Sequence, residues 1–174
     1  MNKNTNIDEA LLVAAERMTH EANNMTETQS PPTIELLKTD VAAWNQYRKA
    51  NPDWKPNLCD ANLCWANLYG ANLCEANLCE ANLCWANLRE ANLRGADMRE
   101  ANLREADMRE ADMRGANLRG ANLREADMRE ANLRGANLRG ANLREAYMRE
   151  ANLRGAKVSD ANAVLAAMGI TVQA

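Results

Sequence analysis

The chain has no phenylalanine and one histidine, and aromatic residues make up only 4% of its 174 positions. A core of that length is normally built around large aromatic side chains, so this interior must use something smaller. With His20 alone there is no Ser/His/Asp or Cys/His constellation. His20 sits in a polar stretch and reads as a solvated residue. No segment approaches the roughly 20 apolar residues of a membrane span. The polar start and the short apolar run at residues 10–15 do not make a secretory signal. We therefore expect a cytoplasmic protein without membrane contact. The five cysteines are odd in number and confined to residues 59–84, which does not suggest a disulfide framework. No glycine-rich phosphate loop occurs. Carboxylates are plentiful, but they alternate with arginine and have no evident cleft to shift their pKa. Neither catalysis, nor a cofactor, nor a metal is expected.

What the chain has instead is a period of five. From Asn57 it reads NLCD-ANLCW-ANLYG-ANLCE and keeps that rhythm to Asp160. The central residue runs Leu58, Leu63, Leu68 and onward to Val158, making 21 units. Alanine stands two residues before the centre in every unit but the first, which has Pro56. Asn or Asp stands one residue before it, except at Tyr147 and Lys157. Five matches neither the 3.6-residue helix nor a two-residue strand alternation, so each unit is a short extended segment with a turn. Ala and Leu flank the Asn, so both face inward while the Asn faces out. Leu58, Leu63, Leu78, Leu83, Leu103, Leu123, Ala61 and Ala121 represent this core ladder. One such face cannot be buried alone, whereas stacked coils bury it.

The glycines indicate how many units close a coil. Gly70, Gly95, Gly115, Gly120, Gly135, Gly140 and Gly155 all stand two residues after a centre. An offset of 20 residues pairs four times among them, and offsets of 15 or 5 only twice. Trp65 and Trp85 are also 20 apart. Four units per coil give a square cross-section. Just over five coils, at the spacing of paired strands, extend about 25 Å.

The motif A-[DN]-L-x-x, written here as Ala91-Asn92-Leu93-Arg94-Gly95 and its neighbours, resembles the pentapeptide-repeat family over residues 57–160. The lead-in Trp44-Asn45-Gln46-Tyr47-Arg48, followed by Asn51-Pro52 and Pro56-Asn57-Leu58, is similar to that of many cyanobacterial members. The resemblance implies an all-β solenoid, a right-handed quadrilateral parallel β-helix with Ala and Leu packed inside. It supplies no single biochemical role. Some members inhibit DNA gyrase by mimicking duplex DNA, which implies a strongly acidic, usually dimeric rod.

Open coil ends expose unpaired strand edges, so α-helical caps are expected at both ends. At the N-terminal end, Ile34, Leu37, Val41 and Trp44 recur at helical spacing and predict one helix over residues 33–50, stopped by Pro52. An earlier helix over about residues 7–22 starts at a capping-box-like Asn6 and Glu9 and carries Ile7, Leu11, Ala15 and Met18 as a stripe. Residues 23–32 read as its linker. At the C-terminal end Val164, Leu165 and Met168 are placed to cover the last coil. The chain thus divides into an N-terminal helical segment and cap (1–56), the repeats (57–160) and a C-terminal cap (161–174).

Listing residues by the 20-residue rule gives four sides. Cys59 stacks on Cys79 and Cys64 on Cys84, while Cys74 lies alone under Arg94. The pairs read either as neutral surface or as candidates for a redox-formed bond between coils. The diverging sides do not assemble a four-cysteine zinc site. One side holds Arg94, Arg114, Arg134 and Arg154 and has net charge +2; the preceding one has net charge −2. The repeats as a whole sum to −1. Trp65, one coil from Trp85 on the same side, is with it a candidate partner surface, unless the N-terminal helices fold over it. The expected function is a non-catalytic protein–protein interaction scaffold with a protein partner and no nucleic acid, as a monomer or weak dimer. The alternatives are a gyrase-inhibiting DNA mimic, which Arg in 14 successive units disfavours, and a structural or redox-responsive element.

Overall fold

The computed structural model describes residues 31–169. The predicted helix over about 7–22, most of the linker and His20 lie outside the described residues. The described helices and the repeats fall within one compact unit, Pro32–Ala174.

The repeats form a parallel coil that closes every 20 residues. Asn62 bridges Asn82, Asn82 bridges Asn102 and Asn102 bridges Asn122, with the same offset on every side. Among the described residues only Asn137–Leu138 (β1) and Lys157–Val158 (β2) are long enough to count as strands, and they too pair in parallel. Units with a full coil above them make three backbone bonds to it. In one unit Leu63 N–H donates to Asn82 at 2.8 Å, Trp65 N–H donates to Cys84 at 3.0 Å, and Ala61 accepts from Asn82 N–H at 2.9 Å. A fourth bond, from Ala66 N–H to the Leu63 carbonyl at 3.1 Å, closes the turn at the corner.

That corner turn puts its third residue at φ between 56° and 71° in every unit but the last, as a type II turn requires. Glycine holds this position in seven units. Glu, Asp or Trp holds it in thirteen, each against the steric preference of an L-residue. The glycines therefore mark the left-handed corner, and their 20-residue recurrence follows from the coil.

The recurring polar position also has a local cause. Each Asn turns its Oδ1 back onto the N–H two residues on, as Asn102 does to Arg104 at 3.3 Å. In six units its Nδ2 also donates to the Asn one coil earlier, as in Asn102 to Asn82 at 3.2 Å and Asn122 to Asn102 at 3.3 Å. Where Asp replaces Asn, it keeps the backbone bond and takes a guanidinium, as Asp112 does with Arg114.

Leu63, Leu78, Leu83, Leu103, Leu123 and Ala121 are completely buried, and Leu58 nearly so. Ala61 is only half-buried. It lies in the first coil beside a cleft lined by Ile34, Trp44, Trp54 and Leu58, so it lacks a full set of neighbours.

The expected single helix at residues 33–50 is two: α1 (Ile34–Thr39) and α2 (Val41–Ala50). Asp40 leaves the helical region at φ −145° and accepts from Ala43 N–H at 2.9 Å, so it caps α2 instead of continuing α1. Helix α2 meets the lower edge of the unit centred on Leu73, where a preceding coil would have bonded. The Trp44 indole donates to the Asn72 carbonyl at 3.0 Å, and Asn45 accepts from Asn72 N–H at 2.7 Å. Arg48, 5% exposed, donates to Cys74 at 2.7 Å and also to the Trp54 carbonyl. Asn45 further donates to Gly70 at 2.9 Å. Three side chains thus stand in for a missing rung of backbone.

At the other end, α3 (Ala161–Ala167) brings the Ala167 carbonyl within 2.8 Å of Met148 N–H. Ser159 Oγ accepts from Gly140 N–H at 3.0 Å. Val164 joins the buried core and Met168 packs against it; Leu165 is half-buried but is not part of that contact. No helix among the described residues is long and apolar enough to cross a membrane.

Candidate interaction surface

Trp65 and Trp85 occupy corner positions one coil apart on the second side, at φ 63° and 60°. The left-handed corner aims both side chains outward, and the coil register sets them one above the other. Their rings stack with centroids 4.9 Å apart and planes 2° from parallel. Trp85 is 40% exposed and Trp65 69%. Helix α2 does not cover them, because its bonds go to Gly70, Asn72 and Cys74 on other sides. Trp44, Tyr47 and Trp54 form a separate group of edge-to-face contacts at 5.4 and 5.1 Å.

All five cysteines are free thiols. On the first side, Asp60 N–H donates to the Cys79 carbonyl, which sets Cys59 under Cys79. The Cys59 thiol donates to the Asp60 carboxylate at 3.4 Å, and that bond pushes its pKa up to about 11. On the second side Cys64 lies under Cys84, beside the two indoles, and Arg104 contacts the Cys84 sulfur. Burial first, and then the neighbouring Cys84, raises the Cys64 pKa. Cys74 stands apart. No group of three metal-ligating side chains occurs among the described residues.

Charge differs from side to side. The third side is laced by pairs such as Arg109 with Asp107 at 2.5 Å and Arg129 with Asp127 at 2.6 Å. On the second, Arg124 pairs with Glu125 at 2.7 Å. The fourth side has one such pair in its ladder, Arg114 with Asp112 at 2.5 Å, and Lys55 reaches Glu75 at 2.7 Å below it.

Sequence reasoning missed the left-handed corner, the role of Asn45 and Arg48 at the coil edge, and the bond from the Tyr69 hydroxyl to Glu90 at 2.5 Å. The first was legible, since every repeat glycine falls on one position of the five. The other two depend on contacts 20 or more residues apart.

A coil of five-residue units, buried through Ala and Leu and turning outward at its corners, defines a solenoid repeat protein. The family model for pentapeptide repeats matches residues 57–95, 86–124 and 126–162, and the chain belongs to that family. Among solved structures it is similar to HetL, a pentapeptide repeat protein involved in heterocyst differentiation regulation from the cyanobacterium Nostoc sp. strain PCC 7120. That match has 36% identity over 59% of this chain and 53% of that one, with a TM-score of 0.39. It is also similar to a pentapeptide repeat protein of the Arabidopsis thaliana thylakoid lumen, at 32% identity over 52% and 59% of the two chains, with a TM-score of 0.43. A second Nostoc PCC 7120 member matches at 31% identity over 68% and 95%, with a TM-score of 0.36. The chain thus spans between half and three fifths of the length of the first two. No curated protein matches.

Proposed function

We propose that the protein is a non-catalytic interaction scaffold, a right-handed quadrilateral β-helix with helical caps that presents its second side to a protein partner. The observation that carries this reading is the exposed Trp65–Trp85 stack. Two outward indoles, held parallel by the backbone, offer a large apolar surface at little entropic cost, the chemistry typical of interface hot spots. DNA mimicry directed at gyrase is the weaker alternative, because the repeats are nearly neutral and carry arginine in 14 successive units. The test is capture of partners from source-cell extract by wild type and by Trp65→Ala/Trp85→Ala, with melting curves to confirm that both are folded. A protein held by the first and lost by the second supports the reading; equal capture by both contradicts it.

A further inference from the structure

The arginines of the repeats divide by their neighbours. Nine of the fourteen form an ion pair. Among the described residues the other five, Arg94, Arg119, Arg134, Arg139 and Arg154, form none, and each precedes a glycine corner rather than a glutamate. Arg94, Arg134 and Arg154 share the fourth side with Arg114, one arginine per coil. The corners there are Gly95, Gly115, Gly135 and Gly155. A Cβ added at Gly115, Gly135 or Gly155 would meet nothing within 4 Å, so this side is flat and open. Asp112 is its only carboxylate above Glu75.

The third side is the complement. It carries Glu90, Glu110, Glu130 and Glu150, one per coil, with Asp107 and Asp127, against Arg89, Arg109, Arg129 and Arg149, for a net charge of −2. Its arginines pair within the side, with Asp107, Asp127, Glu110 and Glu150, so the surplus negative charge is what it offers outward. Both ladders have the same pitch, because one set of backbone bonds between coils fixes both. Glutamates on a solenoid of this same repeat therefore meet the arginines rung for rung. A partner not built of paired strands has no such spacing imposed on its charges.

We propose that the basic fourth side docks against the acidic third side of a second copy of this chain, coils level with coils. Single exposed ion pairs contribute little, so the contact depends on several rungs acting together and weakens with salt. It joins two different sides of the molecule and so leaves one of each free on the outer copies, which permits assemblies larger than a dimer. The inference is independent of the tryptophan reading, since Trp65 and Trp85 lie on the second side.

Sedimentation velocity on the full chain tests it, at about 0.02 M and about 0.5 M salt, where screening lengths are roughly 20 Å and 4 Å. The wild type is expected to associate at the lower salt and to run as a monomer at the higher. Arg134→Glu/Arg154→Glu and Glu130→Arg/Glu150→Arg are each expected to weaken association by about tenfold or more. All four side chains are exposed, so melting temperatures should hold and show both variants folded. Mixing the two variants should restore association, because each then presents the charge the other lacks. Trp65→Ala/Trp85→Ala should associate as the wild type does. A monomer at low salt, an association that survives either reversal, or a mixture that stays monomeric would overturn the proposal.

Discussion

Trp65 and Trp85, twenty residues apart in sequence, stack face to face at 4.9 Å because each occupies the left-handed corner of its own coil. The contact carries a favourable and an unfavourable term at the same residues. Ring stacking contributes about 0.5–1.5 kcal/mol beyond burial. A left-handed conformation opposes it by about 1–2 kcal/mol per non-glycine residue. Trp65→Gly is therefore predicted to be more stable than Trp65→Ala by roughly 1 kcal/mol, although alanine is ordinarily the better residue. Urea denaturation of the two variants measures the difference, and equal midpoints would contradict the corner strain.

The same strain is present at exposed corners that stack on nothing. Glu130 has φ 62° and forms no ion pair among the described residues. Glu130→Gly is predicted to raise stability by about 0.5–1 kcal/mol, the relief of the left-handed penalty less the added freedom of the unfolded chain. Gly135→Ala, at φ 70° with open space around it, is predicted to lower stability by about 1 kcal/mol through the backbone alone. Thermal melts of both variants provide the check.

Position along the coil decides what the core tolerates. Ala121 is fully buried between coils, and Ala121→Leu should cost about 1–3 kcal/mol by overpacking. Ala61 borders the cleft of the first coil, so Ala61→Leu should cost less than about 1 kcal/mol. Equal losses at the two sites in chemical denaturation would contradict the difference in packing.

Acid should weaken the coil through its aspartates. The Arg99 guanidinium holds the Asp97 carboxyl below its usual range, and Arg114 does the same for Asp112. A depressed folded pKa contributes stability that is present above the unfolded value of about 4 and is lost as pH falls through the folded value. Asn serves at the same position elsewhere in the coil, so Asp97→Asn/Asp112→Asn keeps the backbone bond and removes the titration. The variant is predicted to lose less melting temperature than the wild type between pH 7 and pH 3. Parallel curves would contradict this.

Cys59 should be the slow thiol. Its bond to Asp60 and a pKa of about 11 leave almost no thiolate near neutrality. Alkylation at pH 8 is predicted to spare Cys59 longest, and Asp60→Asn to speed it, as read by mass spectrometry of the modified peptide. Counting thiols without reductant in the same experiment addresses the redox reading: five free groups leave no bond between coils.

Much of this architecture was legible in the sequence because one short unit recurs. The Ala and Leu positions, the outward Asn and the 20-residue coil all follow from repetition, and so does the alignment of Trp65 with Trp85. The ends do not repeat, and there the reading was coarser. Asp40 is a residue type that favours an N-cap, but the apolar spacing runs straight through it and conceals the break. Asn45 and Arg48 act on Asn72 and Cys74, partners that only the folded edge brings near. Helical spacing over residues 33–50 was real, but it runs through a break.

Every assignment of a residue to a side depends on the coil closing after 20 residues. Nuclear Overhauser contacts between the indole rings of Trp65 and Trp85, in protein labelled only at its four tryptophans, test that closure directly. The account predicts cross-peaks between these two rings, lost on substituting either one, beside those expected within the Trp44–Trp54 pair. Absence of contact between Trp65 and Trp85 in a folded protein would mean a coil of another length, and the four sides described above would not exist.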